Sequence, residues 1–332
     1  MILNMIIVLP LLVGILILLI PEKAQWVKKA LALITSVVVL YKAGMLYFGQ
    51  TEIIAGRFSV MLKAFGETTG DLFIFDPLSL LILLFIGVFT VLVLIYSLSF
   101  FKPEERSPGY FSYVLLTLAG ANGAALANNL VLFLLFWSFL VLTLYKLIPS
   151  KDEESAAAAV KSVIIIGGSD VLMLFGIAIV WKISGTLAMS ELSIETNSVL
   201  TNIAFVTLLI GAFTKAGAFP FHTWIPDFTR EAPATSSAYL PASLDKLLGI
   251  YFMARLCNEI FVLNQSLTLG ILIIGVSTII IAVMMALVQH NYKKLLGYHA
   301  VSQVGYMVTG LGLGTALGII GGLFHMINHA LY

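Results

Sequence analysis

Two lysines stand in stretches too apolar to welcome a charge. Lys215, in GAFTKAGAFPFHTW, closes an apolar helical run just before Gly217 and Pro220. Lys246, in ASLDKLLGIYFMAR, lies near the middle of the next apolar segment, directly after Asp245. A charge at the centre of a bilayer costs about 2.5–3.5 kcal/mol on insertion scales, so ionisable residues at that depth mark ion pathways unless they can reach an interface. A lysine taken out of water holds its proton less firmly and can exchange it near neutral pH. The plainer alternative for either residue is a side chain that snorkels to the interface. For Lys215 the coincidence with a helix break favours function; for Lys246 its mid-span position does.

Other titratable groups share this setting. His222, in FPFHTWIPD, is able to relay protons because imidazole titrates near neutrality, or it caps the helix that restarts there. Asp170 is a lone carboxylate in the middle of VIIIGGSDVLMLFGI, a position that calls for a cation on a neighbouring helix; Lys215 is one candidate, and a purely structural pair is the other reading. Asp245 points about 100° away from Lys246 around a helix, so the two do not face each other; a local ion pair is its simplest use. His299 and Gln303 are four residues apart, as are His325 and His329, so each pair shares a helix face. These residues are able to line a hydrated file through the membrane or to bridge helices by hydrogen bonds. A His-x-x-x-His pair alone supplies too few ligands for a metal, and a haem takes its axial ligands from two helices. No metal and no cofactor is expected, and the sequence offers no phosphate-cradling loop, cysteine cluster or nucleophile–base pair.

The elements that position these groups are membrane helices. Hydrophobic residues make up 60% of the 332 residues and charged residues 11%, which excludes an ordinary soluble globule. The 18 basic and 17 acidic residues give no attraction toward nucleic acid. The single cysteine excludes an intramolecular disulfide. The N-terminal run MILNMIIVLPLLVGILILLI has no basic leader region and reads as a retained first span. At about 20 apolar residues per helix, spans are expected at 2–20, 26–48, 77–100, 109–127, 129–148, 158–182, 199–230 (interrupted), 236–260, 266–288 and 293–313, with another starting near 315. Pro220 removes a backbone donor and clashes with the preceding turn, so the seventh span should break around 218–221. Such a break is tolerated only inside protein or beside a hydrated cavity. The segment 49–76 reads as a hairpin or a short surface helix.

Apart from the two mid-span lysines, eleven basic residues fall on the side of the 21–28, 101–108, 149–157 and 289–294 loops and five on the other. By the positive-inside rule those loops are cytoplasmic and the N-terminus is outside, in a prokaryotic cell membrane.

Several blocks then carry a resemblance. KAGAFPFHTWIPD (215–227), EAPAT (231–235) and the mid-helix lysine about thirty positions after the first resemble the proton-antiporter family, which comprises antiporter-like subunits of complex I, large subunits of Mrp-type cation/proton antiporters, and related subunits of energy-converting membrane-bound hydrogenases. FDPLSLLILLFIGVFTVLVLIYS (75–97), NYKKLLGYHAVSQVGYM (291–307) and HMINHALY (325–332) resemble family blocks in the expected order, so the likeness covers essentially the whole chain. The hydrogenase-related members are the nearest in pattern.

The resemblance implies an all-α polytopic fold with inverted five-helix repeats, each with a broken helix, and a polar axis along the membrane midplane. On this reading 1–105 is an N-terminal three-helix segment, 106–262 the first repeat with its break near 215–224, and 263–332 the start of an incomplete second repeat. Lys215 becomes the broken-helix lysine, Lys246 the connecting lysine, and His299, His325 and His329 members of the polar axis. The expected function is translocation of an ion, a proton before sodium, as one component of a redox-driven complex. The chain itself would hold no redox centre; its partners would be other antiporter-like subunits and quinone- or hydrogenase-module subunits. The alternatives are a component of a redox-independent cation/proton antiporter and a non-pumping structural adaptor.

Two departures qualify the likeness. Family members carry W-E where NNLVLFLLFWSFLVLTLY has Trp137 followed by Ser138, so the glutamate that pairs with the broken-helix lysine is replaced by a serine that carries no charge. Either Asp170 substitutes or pumping is impaired. The family also continues past HALY, and an end at Tyr332 inside the membrane is expected to be a partial chain.

Overall fold

A computed structural model describes residues 2–49, 72–100, 109–148 and 152–331. The expected hairpin or surface helix of 49–76 therefore falls largely outside the described residues, as does the 101–108 loop. The described residues are overwhelmingly helical, and they form two compact units, Met1–Leu147 and Ile148–Tyr332. Among the described residues six helices are long and apolar enough to cross a membrane, and Asn4–Leu19, Tyr110–Leu126 and Ala316–Leu331 are shorter apolar helices. The expected spans at 236–260 and 293–313 are helical but fall outside those six. The first carries Asp245, Lys246 and Arg255, and the second opens on Lys293 and Lys294.

The first unit contains α1 (Leu9–Leu19), α2 (Gln25–Phe48), α3 (Pro77–Phe100), α4 (Tyr110–Leu126) and α5 (Leu130–Leu147). A π-helical turn, Asn4–Val8, leads into α1. Helix α4 is buried along its whole length, because α1, α3 and α5 all pack on it. Two of its side chains reach backbone carbonyls 98 and 116 residues earlier in the sequence: Ser112 Oγ donates to Gly14 O at 2.5 Å and Asn122 Nδ2 donates to Ile6 O at 2.9 Å. Ile6 lies within the π turn, where the backbone ladder is wider and a carbonyl is free to take a side-chain donor. The start of α3 follows from FDPLS. Asp76 Oδ1 accepts from Ser79 N at 2.8 Å, Asp76 N donates back to Ser79 Oγ at 3.1 Å, and Pro77 occupies the first helical position.

The second unit contains α6 (Glu153–Ser184), α7 (Val199–Ala216), α8 (Trp224–Glu231), α9 (Ala234–Tyr239), α10 (Asp245–Arg255), α11 (Gln265–Leu287), α12 (Tyr292–Gly312) and α13 (Ala316–Leu331). Side-chain caps set the starts of four of them: Asp152, Ser198, Asn264 and Asn291 each accept a backbone N–H three residues on. The Ser155 backbone N–H holds the Asp152 carboxyl below the usual carboxylate range. Two two-residue strands, β1 (Ile194–Glu195) and β2 (Phe261–Val262), pair in parallel with Ile194 opposite Phe261; hydropathy alone does not predict them. The expected span 236–260 is helical but not uniform. Two π-helical stretches, Leu240–Leu244 and Leu256–Ile260, bracket α10.

Small residues decide how closely the helices of this unit approach, as expected where lipid and side chain are equally apolar. A Cβ on Gly249 of α10 would lie 2.7 Å from both Cβ and N of Ala216 on α7. A Cβ on Gly211 of α7 would lie 2.1 Å from Met173 Sδ on α6. A Cβ on Gly310 of α12 would lie 2.9 Å from Gly322 Cα on α13.

These contacts carry two expectations for stability. Asn122→Ala removes the donor to a buried carbonyl and should cost about 1 kcal/mol in reversible unfolding in detergent micelles. Gly249→Val places bulk against the Ala216 backbone, which has no room to yield, and should cost about 1–3 kcal/mol or more in the same measurement; Gly270→Val, where a Cβ meets open space, is the control and should change little.

Candidate functional site: a buried ion-pair relay

The break in the interrupted span is built as Pro220 dictates, and it is satisfied by side chains. Helix α7 ends at Ala216, and Gly217 takes the left-handed conformation at φ 86° that suits a glycine cap. The Phe219–Pro220 bond is cis. A short 3-10 turn, Phe221–Thr223, then leads into α8. The groups released by the break find partners: Trp224 Nε1 donates to Thr214 O at 2.9 Å, Phe219 N donates to Thr278 Oγ1 at 3.1 Å, and Phe221 N donates to Ala218 O at 2.8 Å.

Lys215 occupies the last turn of α7, where a cation interacts favourably with the helix dipole. Its side chain is 1% exposed, and its ammonium lies 3.8 Å from Asp245 Oδ1, itself only 2% exposed. Asp170 of α6 is also buried and within electrostatic reach of Lys215. The lysine therefore answers to carboxylates on two different helices. The Gly249–Ala216 approach sets one of them, since Gly249 is one turn beyond Asp245 and Ala216 adjoins Lys215. The Gly211–Met173 approach sets the other, since Gly211 is one turn before Lys215 and Met173 lies three residues after Asp170.

Asp245 and Lys246 are consecutive and, as the helix geometry requires, face different partners. Asp245 turns to α7. Lys246 turns to α13, where its Nζ lies 2.7 Å from His329 Nε2. The His329 ring stacks on His325 with centroids 6.3 Å apart and planes at 19°. His325 Nε2 lies 2.8 Å from Gln303 Oε1 on α12, so this nitrogen carries the hydrogen in that bond. Tyr306 meets His325 edge-on at 5.7 Å. The structure thus brings Lys215, Asp245, Lys246, His329, His325 and Gln303 into one sequence of neighbours across four helices. An ammonium next to a carboxylate, and a second ammonium next to a pair of imidazoles, are groups that can pass a proton between them.

The remaining sequence-derived candidates are placed differently. His299 is exposed on α12, although it lies within electrostatic reach of His329. Its face-sharing neighbour Gln303, not His299 itself, makes the contact with α13. His222 is 3% exposed and sits between the rings of Phe219 and Tyr298, at 5.7 and 6.2 Å. Neither of its ring nitrogens has a hydrogen-bond partner among the described residues. Ser138 is half-buried on α5, in the first unit. Among the described residues no group of three or more His, Cys, Asp or Glu side chains is placed to hold a metal ion.

One cluster lies outside the residues singled out from sequence. Asp227, at the end of FPFHTWIPD, accepts from Lys161 Nζ of α6 at 2.6 Å through Oδ2, and Lys294 Nζ of α12 lies 3.5 Å from its Oδ1. The signal was the aspartate in the quoted block; its partners are 66 and 67 residues distant, and no spacing rule links them.

Comparison with known proteins gives the family and the fold. Residues 127–332 match the family described as NADH:quinone oxidoreductase/Mrp antiporter, transmembrane. The chain is 32% identical over 278 residues to a subunit of the Na(+)/H(+) antiporter of Alkalihalophilus pseudofirmus, covering 77% of this chain and 34% of that protein. It is 30% identical over 281 residues to a subunit of the Na(+)/H(+) antiporter of Staphylococcus haemolyticus, covering 79% and 35%. It therefore spans about a third of the length of these relatives. Its fold is similar to a chain of the membrane-bound sulfane sulfur reductase, an archaeal respiratory membrane complex (TM-score 0.81, 22% identity, 99% of this chain and 68% of that one). It is also similar to a chain of the Mrp complex from Dietzia (0.79, 20%, 99% and 62%) and to one of respiratory complex I from Thermus thermophilus (0.73, 20%, 100% and 69%). The extent of the family match and the apolar helices make this chain an antiporter-like membrane subunit belonging to the NADH:quinone oxidoreductase/Mrp antiporter family.

Proposed function

We propose that this chain moves protons within a multi-subunit complex of a prokaryotic cell membrane, with its N-terminus outside, and that Lys215, Asp245, Lys246, His329 and His325 carry them, with Asp170 and His222 beside the first lysine. The observation that carries this reading is the pairing of consecutive residues with different partners: Asp245 with Lys215 at 3.8 Å and Lys246 with His329 at 2.7 Å. A buried ammonium is tolerable while a carboxylate faces it and costly when the carboxylate turns away. Any shift of Asp245 or Asp170 would therefore expel a proton from Lys215, and Lys246 with the stacked imidazoles offers the next acceptors. Asp245 supplies the negative charge beside Lys215, with Asp170 as the second carboxylate. The structural-adaptor alternative would not need either buried lysine to exchange a proton.

The driving force is electron transfer elsewhere in the complex, a reading supported by fold similarity to chains of two respiratory complexes. The partners are the other membrane subunits of that complex. The second reading, a redox-independent cation/proton antiporter, is favoured by the sequence relatives, which are antiporter subunits at 30–32% identity. Transport in sealed vesicles separates the two: the first reading requires an electron donor and the second does not.

Lys215→Ala in the assembled complex should lower ion transport roughly a hundredfold, the scale of a lost proton-transfer group; unchanged transport would overturn the proposal. Asp245→Asn leaves Lys215 facing an uncharged amide and should destabilise the protein by about 3–5 kcal/mol. The double variant Lys215→Met with Asp245→Leu should recover most of that stability in detergent unfolding while transport stays lost. Recovery of both would assign the pair to structure alone.

A further inference from the structure

Asp227 stands where three elements meet. Its two carboxylate oxygens face lysines from α6 and α12: Lys161 at 2.6 Å and Lys294 at 3.5 Å. The three side chains are partly open to solvent, at 27% for Asp227, 39% for Lys161 and 26% for Lys294. Helix α6 is 32 residues long, about 48 Å at the usual rise, against a hydrocarbon core of about 30 Å. Lys161 is two turns from its start, at the end that carries Glu153 and Glu154. Charged groups ring the same end: Arg230 pairs with Glu154 at 2.9 Å and with Glu231, and Lys293 Nζ donates to Ala232 O at 3.0 Å.

Immediately inside this cluster is His222, five residues before Asp227 and within electrostatic reach of Lys161. Tyr298 neighbours both, with its ring 6.2 Å from that of His222 and its hydroxyl within electrostatic reach of Asp227. Both nitrogens of this buried imidazole lack a protein hydrogen-bond partner among the described residues. Leaving a buried donor and acceptor unmade costs about 1–3 kcal/mol for each group, which ordered water removes by bonding to both. The imidazole is thus built to hold water on the inner side of the lysine-clasped carboxylate.

We propose that Asp227, clasped by Lys161 and Lys294, is the gated mouth through which protons from the aqueous phase at the end carrying the 149–157 and 289–294 loops reach water bound at His222. This rests on the proton-relay reading above and adds its intake. A proton from a hydronium ion adds to one carboxylate oxygen of Asp227, cancels its charge and loosens both lysines. The same proton, handed through water to a ring nitrogen of His222, restores the carboxylate and recloses the clasp. One proton enters, and no other bond forms or breaks.

The test uses the assembled complex in sealed vesicles of both orientations, in a Cys257→Ser background. Asp227→Asn preserves shape but cannot carry a proton, and it should lower transport roughly tenfold or more with assembly intact. His222→Cys should react with a membrane-impermeant thiol reagent from the clasp face only, and several times faster when Lys161→Gln and Lys294→Gln open the clasp. Labelling from the opposite face, or at a rate indifferent to the lysines, would overturn the gate even if Asp227→Asn failed to assemble. If Lys215→Ala abolishes transport while Asp227→Asn leaves it intact, the gate is wrong and the relay stands. If both variants transport normally, the relay itself is wrong.

Discussion

A lysine and an aspartate, each almost wholly shut away from solvent, face each other at 3.8 Å in a unit built mostly of apolar residues. Neither charge is tolerable there alone, and the rest of the second unit is arranged by that requirement. Three helices must come close enough for the two carboxylates to address one ammonium, and side chains of ordinary size would hold them apart. Glycines at 211 and 249 remove that obstacle at the two contacts nearest the charges. The spacing of the helices is thus an electrostatic necessity met by steric means, and the backbone at these glycines matters to the ion pair as much as the charged groups do.

The break in the interrupted span serves the same end. Ending α7 at Ala216 puts Lys215 in a final helical turn, where carbonyls point onward and favour a cation. The backbone groups the break releases would be costly in a membrane, yet an indole from α8 and a hydroxyl from α11 take two of them. The break is therefore a stable feature that presents a charge. The π-helical stretch Leu240–Leu244 precedes α10 and so sets the rotation at which Asp245 and Lys246 emerge. Consecutive residues lie about 100° apart on a helix, and that single angle lets one helix serve a lysine on one side and a histidine on the other.

The series of polar groups is also polarised in its chemistry. Its first part pairs opposite charges, and its second part sets an ammonium against imidazole rings and an amide. Lys246 meets His329 at hydrogen-bond distance, His329 stacks on His325, and His325 hydrogen-bonds Gln303. Both carboxylates of the first part, Asp245 and Asp170, belong to the second unit, as Lys215 does.

Much of this was legible without coordinates. Hydropathy alone required membrane helices, Pro220 required the interruption, and the cost of burying a charge singled out Lys215, Lys246, Asp170, Asp245 and the histidines, because each of these is a local property of composition or of a single residue. The recurrent blocks were sufficient to identify the family. What no local property encodes is which groups meet. Asp170 was the obvious carboxylate for Lys215 from depth alone, yet Asp245, thirty residues downstream in the sequence, comes within ion-pair distance because α10 packs on α7 at Gly249. His299 shared its face with Gln303 on paper, but rotation of α12 leaves the histidine exposed and the glutamine engaged. The Lys161–Asp227–Lys294 cluster was invisible, since its members come from three helices. Sequence determines the cost of a buried charge residue by residue; its partner depends on helix rotation and approach, and those are settled only when the helices pack.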